Sequence, residues 1–152
     1  MLSTRERAGL KGRALVDGLA VTVLLRHELP DGGGHLDWLL ERPARPDLGL
    51  LSFRVRGRID DPRIGRFGAT RLPDHRRLYL EYEGPISGGR GTVVRVVSGH
   101  CLRCEEGEGH VLIAVEFGGH VQTLEGIQRS GAEWVFEPVT EQKHEDQGVR
   151  PR

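Results

Sequence analysis

A chain of 152 residues with 37% hydrophobic content and 22 glycines is long enough for one buried core, and its length fits a single domain. Two cysteines are too few for a secreted disulfide framework, and no apolar run approaches the roughly 18 residues needed to span a bilayer. The opening residues MLSTRERAGLKGR lack the apolar centre of a signal peptide, so a reducing cytoplasm is the expected compartment and no membrane partner is expected.

The 22 basic and 22 acidic residues cancel, but they are unevenly spread. Ser52 to Arg77 holds eight arginines against Asp60, Asp61 and Asp74, while Gly99 to Val149 holds ten acidic residues against Arg103, Arg129 and Lys143. Such asymmetry points to a face turned toward a polyanion, with a solvated arginine surface as the alternative.

Residues 1–18 read as a basic, flexible lead-in. Leu19 to Arg26, LAVTVLLR, is a first strand built of aliphatic and β-branched residues and runs directly into His27. After the Gly32–Gly34 turn, HLDWLLE (His35–Glu41) alternates cleanly. Leu36, Trp38 and Leu40 share the core face; His35, Asp37, Leu39 and Glu41 share the other. RPARPDL is a proline-marked turn, Leu50 to Arg56 a strand, and Gly57 to Arg71 a long basic loop.

Leu78 to Glu83 alternates as a further strand, with Leu78, Leu80 and Tyr82 on one face. Thr92 to Val97, His110 to Phe117, Val121 to Ile127 and Ala132 to Glu137 complete the set, and 140–152 is a charged, disordered tail. About eight short strands at this spacing, with at most one or two short helices, give an all-β single domain over residues 19–139, a compact antiparallel or mixed β-barrel or a sandwich. A monomer is expected.

Chemistry concentrates in two places. His27, His35 and Asp37 offer two imidazoles and a carboxylate, a donor set that leaves positions open on a bound divalent ion. His75 and Tyr79 offer donors to a phosphate oxygen or a proton to a leaving group, and Arg76, Arg77 and Arg90 supply planar forks for phosphate. The SGGRG cluster lacks the spacing of a nucleotide-binding loop, and a tight turn needing positive φ explains its glycines. Cys101 and Cys104, with His100 and His110 nearby, match structural zinc spacing poorly and read as two reduced cysteines near a turn.

His27, GHLDWLLE (Gly34–Glu41) and LPDHRRLYLEYEGPISGGRGTVVRVV (Leu72–Val97) together resemble the 3′-phosphoesterase module of bacterial DNA ligase D, in a diverged, stand-alone form. The resemblance covers roughly Val21 to Pro138. It implies a β-barrel with a manganese-dependent site, or one for another divalent transition metal, that trims 3′-phosphates or 3′-ribonucleosides in DNA end repair. By the same resemblance His27, His35 and Asp37 are the metal ligands, and His75 and Tyr79 act on the phosphate. The implied partners are DNA 3′ ends or an RNA/DNA primer-template, and a separate ligase or polymerase.

Two departures bear on activity. Leu39 stands where active members have an arginine, and His27 and His35 are eight residues apart where six is usual. Arg90, Arg54 or Arg56 is available to replace the missing guanidinium. A relative that binds nucleic-acid ends or a protein partner without turnover is the alternative reading.

Overall fold

The computed structural model describes residues 19–140; the lead-in 1–18 and the tail 140–152, save Thr140, lie outside the described residues. Nine strands among them are β1 (Ala20–Glu28), β2 (Gly34–Leu40), β3 (Leu50–Val55), β4 (Phe67–His75), β5 (Gly84–Pro85), β6 (Thr92–Gly107), β7 (His110–Phe117), β8 (His120–Ser130) and β9 (Glu133–Val139). They form one antiparallel sheet in the order β1-β2-β3-β4-β9-β8-β7-β6-β5, and β6 also pairs with β1, so the sheet closes into a ring. The all-β expectation holds, with a single 3₁₀ turn (Arg77–Leu80) among the described residues. No helix of theirs is long and apolar enough to cross a membrane.

Alternation decides what fills the ring. Leu24 of β1, Trp38 and Leu40 of β2, Leu51 and Phe53 of β3, and Phe136 of β9 all point inward and are buried. The aromatic rings interlock: Phe136 lies edge-on to Phe53 at 5.0 Å and to Trp38 at 5.6 Å, and stacks on Phe67 at 5.4 Å. Trp38 donates its indole N–H to Thr22 Oγ1 at 2.9 Å, and that hydroxyl donates to Leu39 O at 2.8 Å, so this buried polar pair is satisfied.

The outer face of β1–β3 is not solvated. Val21, Val23, Leu25, Leu39, Leu50 and Leu80 form a second apolar cluster, with Tyr79 packed against it. Here the structure differs from the strand read over Leu78–Glu83. Leu80 is 3% exposed while Leu78 and Tyr82 are 45% and 36% exposed, a division that a strand with all three on one face would not give. The segment instead coils, with Tyr79 N donating to Arg76 O and Glu81 N to Leu78 O, both at 3.1 Å. Burying a leucine is worth about 1.5–3 kcal/mol, more than the alternation of a short exposed strand can supply. Arg77 fastens the turn by ion pairing with Glu41, whose carboxylate also accepts from Val21 N at 2.8 Å.

Two other expectations are corrected. The basic loop ends earlier than read, because β4 begins at Phe67: Phe67 and Ala69 point inward while Gly68 and Thr70 alternate outward, a short pattern masked by flanking arginines. The cysteine turn is no turn. β6 continues to Gly107, with an irregularity in its pairing between Cys101 and Arg103.

One end of the ring is closed by charge. Buried Arg42 donates to Gly49 O at 2.7 Å and to Asp74 Oδ2 at 2.9 Å, and pairs with Glu106 across the opening. The fork geometry of the guanidinium lets one side chain tie β4, β6 and the turn before β3.

Gly126 of β8 marks where the interior is tightest. A Cβ there would sit 2.6 Å from the Phe136 ring and 2.9 Å from Val111 Cγ2. Gly126→Ala is therefore expected to destabilise the fold by about 1–3 kcal/mol, as over-packed cores do, which urea or thermal unfolding will measure.

Candidate metal and phosphate site

Register brings the sequence-distant candidates together. His27 lies opposite His35, Leu25 opposite Asp37, and Asp37 opposite Arg54 across β3. The irregular pairing of β3 with β4 sets His75 opposite Leu50. All these positions are on the outer face, beside the second apolar cluster.

His27, His35 and Asp37 each offer a ligand atom within 4.8 Å of the others. Ligands held about 2.0–2.2 Å from one ion can be at most ~4.4 Å apart, so the group fits a metal after a small ring adjustment. The rings of His27 and His35 meet edge-on at 4.8 Å. Hydrogen bonds fix the tautomers. His27 Nε2 lies 2.7 Å from Arg90 O; a carbonyl only accepts, so Nε2 carries the proton and Nδ1 keeps its lone pair. His35 Nδ1 lies 3.1 Å from Asp37 Oδ1, which leaves His35 Nε2 its lone pair.

Around this group is a cavity of about 220 Å³ lined by His27, Asp37, Arg54, His75, Tyr79 and Arg90, with walls supplied by Leu25, Ile86 and Val93 among others. His75 Nδ1 is 3.1 Å from Pro73 O, so it is the donor there and Nε2 remains for a ligand. The Tyr79 ring stands edge-on to His75 at 5.6 Å. The 3₁₀ turn, rather than the extended segment expected, sets the two side by side. Among buried side-chain nitrogen and oxygen atoms of the described residues, Arg54 Nε is the one without a hydrogen-bond partner; it pairs with Asp37 Oδ1 only at 3.7 Å.

The five arginines proposed for phosphate divide. Arg54 and Arg90 line the cavity. Arg56 instead donates to Thr70 Oγ1 at 2.8 Å and pairs with Glu133, and Arg77 is committed to Glu41 and to Pro46 O. Arg76 is exposed beside His75 and does not line the cavity. Sequence spacing separates these poorly, because only strand register tells which arginine faces Asp37. His100 and His110 pair with Glu116 and Glu125, at 2.9 and 2.8 Å, so neither joins the cysteines.

The SGGRG glycines do shape a turn: Gly88, Gly89 and Gly91 have φ of 79°, 66° and 101°. Gly91 does more. A Cβ there would lie 2.1 Å from Glu28 O, so only glycine lets this loop lie against β1 and present the Arg90 carbonyl to His27. The three glycines in a row of five are visible in sequence; the contact with β1 is not. No protein-family model matches the chain, and no curated protein matches it.

Burial lowers the pKa of His35 below the usual histidine range, with Arg54 and His27 adding to the shift and Asp37 opposing it. The unfolded chain thus takes up a proton near pH ~6.5 that the folded chain refuses until lower pH. Stability that is full above that value is therefore lost as pH falls through it toward the folded pKa. In chelator-treated protein, NMR titration should find His35 protonating below the free-histidine range, with unfolding becoming easier across the same interval.

Leu39, where the resembled family has arginine, is fully buried in the outer cluster. Leu39→Arg is accordingly expected to destabilise the protein by several kcal/mol, since the guanidinium would enter an apolar cluster. A melting temperature unchanged in that variant would contradict this placement.

Proposed function

We propose that the chain is a metal-dependent phosphoesterase acting on nucleic-acid 3′ ends, removing a 3′-phosphate or 3′-ribonucleoside. The observation that supports it most is a group of two histidines and a carboxylate, two of whose members, His27 and Asp37, line one cavity with His75, Tyr79 and two arginines. A divalent ion, cationic forks and an acid–base pair together suit a phosphate ester.

His27, His35 and Asp37 would hold Mn²⁺ or a similar divalent ion, which when bound supplies Lewis-acid charge to a phosphoryl oxygen. The chain's own residues do the rest. Arg54 has a nitrogen already stripped of water and without a hydrogen bond, held only by a long ion pair with Asp37, so a phosphate oxygen arriving there gains a charge-assisted bond with little new desolvation. It supplies the guanidinium that Leu39 does not. His75, with Nδ1 held by Pro73 O, presents Nε2 to a phosphate oxygen or, when protonated, gives its proton to the leaving 3′-oxygen. Tyr79, packed on His75, limits that ring's rotation and can donate its hydroxyl. The exposed Arg76, next to His75 in the chain, and Arg90, which lines the cavity, would contact the adjoining backbone and make binding salt-sensitive.

The alternative, an end-binding protein without turnover, is favoured by one observation only: the apolar burial of Leu39. The test is release of inorganic phosphate or ribonucleoside from a 3′-modified primer-template with Mn²⁺. Release is expected from the native chain, absent in His35→Ala, and reduced about 10–100-fold in Arg54→Met. End binding with no release would leave the non-catalytic reading; release unchanged in His35→Ala would overturn the site.

A further inference from the structure

Away from this site, the two cysteines occupy an arrangement that spacing alone does not give. In an unbroken strand, residues three apart point to opposite faces. The pairing irregularity of β6 changes this: Cys101 lies opposite Val115, Arg103 opposite Ala114 and Cys104 opposite Ile113. Leu102 is the extra residue of a bulge. Val115 and Ile113 are alternate residues that both point into the ring. Cys101 and Cys104 therefore share the inner face, Cys101 fully buried in the core and Cys104 packed against it and partly exposed. The bulge thereby sets the two side chains next to each other on one face of β6.

The two thiols are also chemically unlike. Cys101 Sγ donates to Arg103 O at 3.5 Å. The neighbouring Cys101 thiol lowers the pKa of Cys104, with Arg42 and Arg71 adding to the effect against burial and Glu106. Cys104 and burial push Cys101 up, with Glu41 acting in the same sense. The pair thus joins one partly exposed sulfur whose pKa its surroundings lower and one enclosed sulfur whose pKa they raise.

We propose that Cys101 and Cys104 are a peroxide-reactive pair, with Cys104 the attacking sulfur and Cys101 the resolving one. The Cys104 thiolate attacks one oxygen of a hydroperoxide; the S–O bond forms, the O–O bond breaks, and the departing oxygen takes a proton to leave as water or an alcohol. The Cys101 sulfur then attacks the Cys104 sulfenic acid. The S–S bond forms, the S–O bond breaks, and the Cys101 proton leaves with the hydroxyl as water. Two thiols lose two electrons and one peroxide is reduced. The product disulfide is opened again by thiol exchange, which makes the oxidation reversible.

The experiment uses the full chain treated with hydrogen peroxide, then denatured and alkylated for mass measurement. Expected is the loss of both alkylatable thiols in a monomeric species two hydrogens lighter, restored by dithiothreitol. Cys101→Ser should stop at a sulfenic acid that a cyclic 1,3-dione traps on Cys104. In Cys104→Ser, oxidation of the remaining thiol should be slower on the order of tenfold or more. Two thiols still alkylatable in the native chain, or only intermolecular disulfides, would overturn the proposal. So would equal oxidation rates in the two variants. The native-chain result stands whether or not either variant folds.

Discussion

β1 is the most constrained element of this protein, and the rest depends on that constraint. It is paired on both edges, with β2 and with β6, and buried on both faces, by the ring interior and by the outer cluster. A strand so enclosed cannot slip by one residue without reversing every side chain. That fixes His27, the first residue of β1 on the outer face beyond Leu25, opposite His35. The pairing of β2 with β3 then fixes Arg54 beside Asp37. The site has its geometry because the strand beneath it has no alternative register.

The outer cluster has a second consequence. Leu80 docks with Leu39 and Leu50, and this anchors the 3₁₀ turn that presents Tyr79 to His75. The same hydrophobic patch that excludes an arginine at position 39 also builds the wall of the cavity. Arg54, on the neighbouring strand, reaches the cavity without entering the cluster. At the other end of the ring, Arg42 performs a comparable task for the architecture, holding β4 and β6 together through Asp74 and Glu106.

Much was legible in the residues themselves. The alternation of HLDWLLE separates Trp38 and Leu40 from His35 and Asp37 correctly, because the apolar and polar sets differ strongly in transfer free energy. The glycines at 88, 89 and 91 announce a turn of positive φ because no other residue adopts it cheaply. Misreadings arose where a local pattern competed with a distant surface. Leu78-Tyr79-Leu80 alternates like a strand, yet the adjacent Tyr79 and Leu80 both pack on the outer cluster while Leu78 stays exposed. Phe67 to Thr70 is a strand hidden among arginines, because only two of its residues, Phe67 and Ala69, point inward.

By itself, then, the sequence determined the class of the fold, most of the strands around the core and the candidate residues His27, His35, Asp37, His75 and Tyr79. Those properties follow from side-chain polarity and spacing along one segment. Only the tertiary structure decided which arginines line the cavity, that Leu39 is covered rather than open, and that Cys101 and Cys104 share one face of β6. Each of these is set by register between strands far apart in the chain, or by a single bulge, and such offsets leave no periodic trace in the segments they connect.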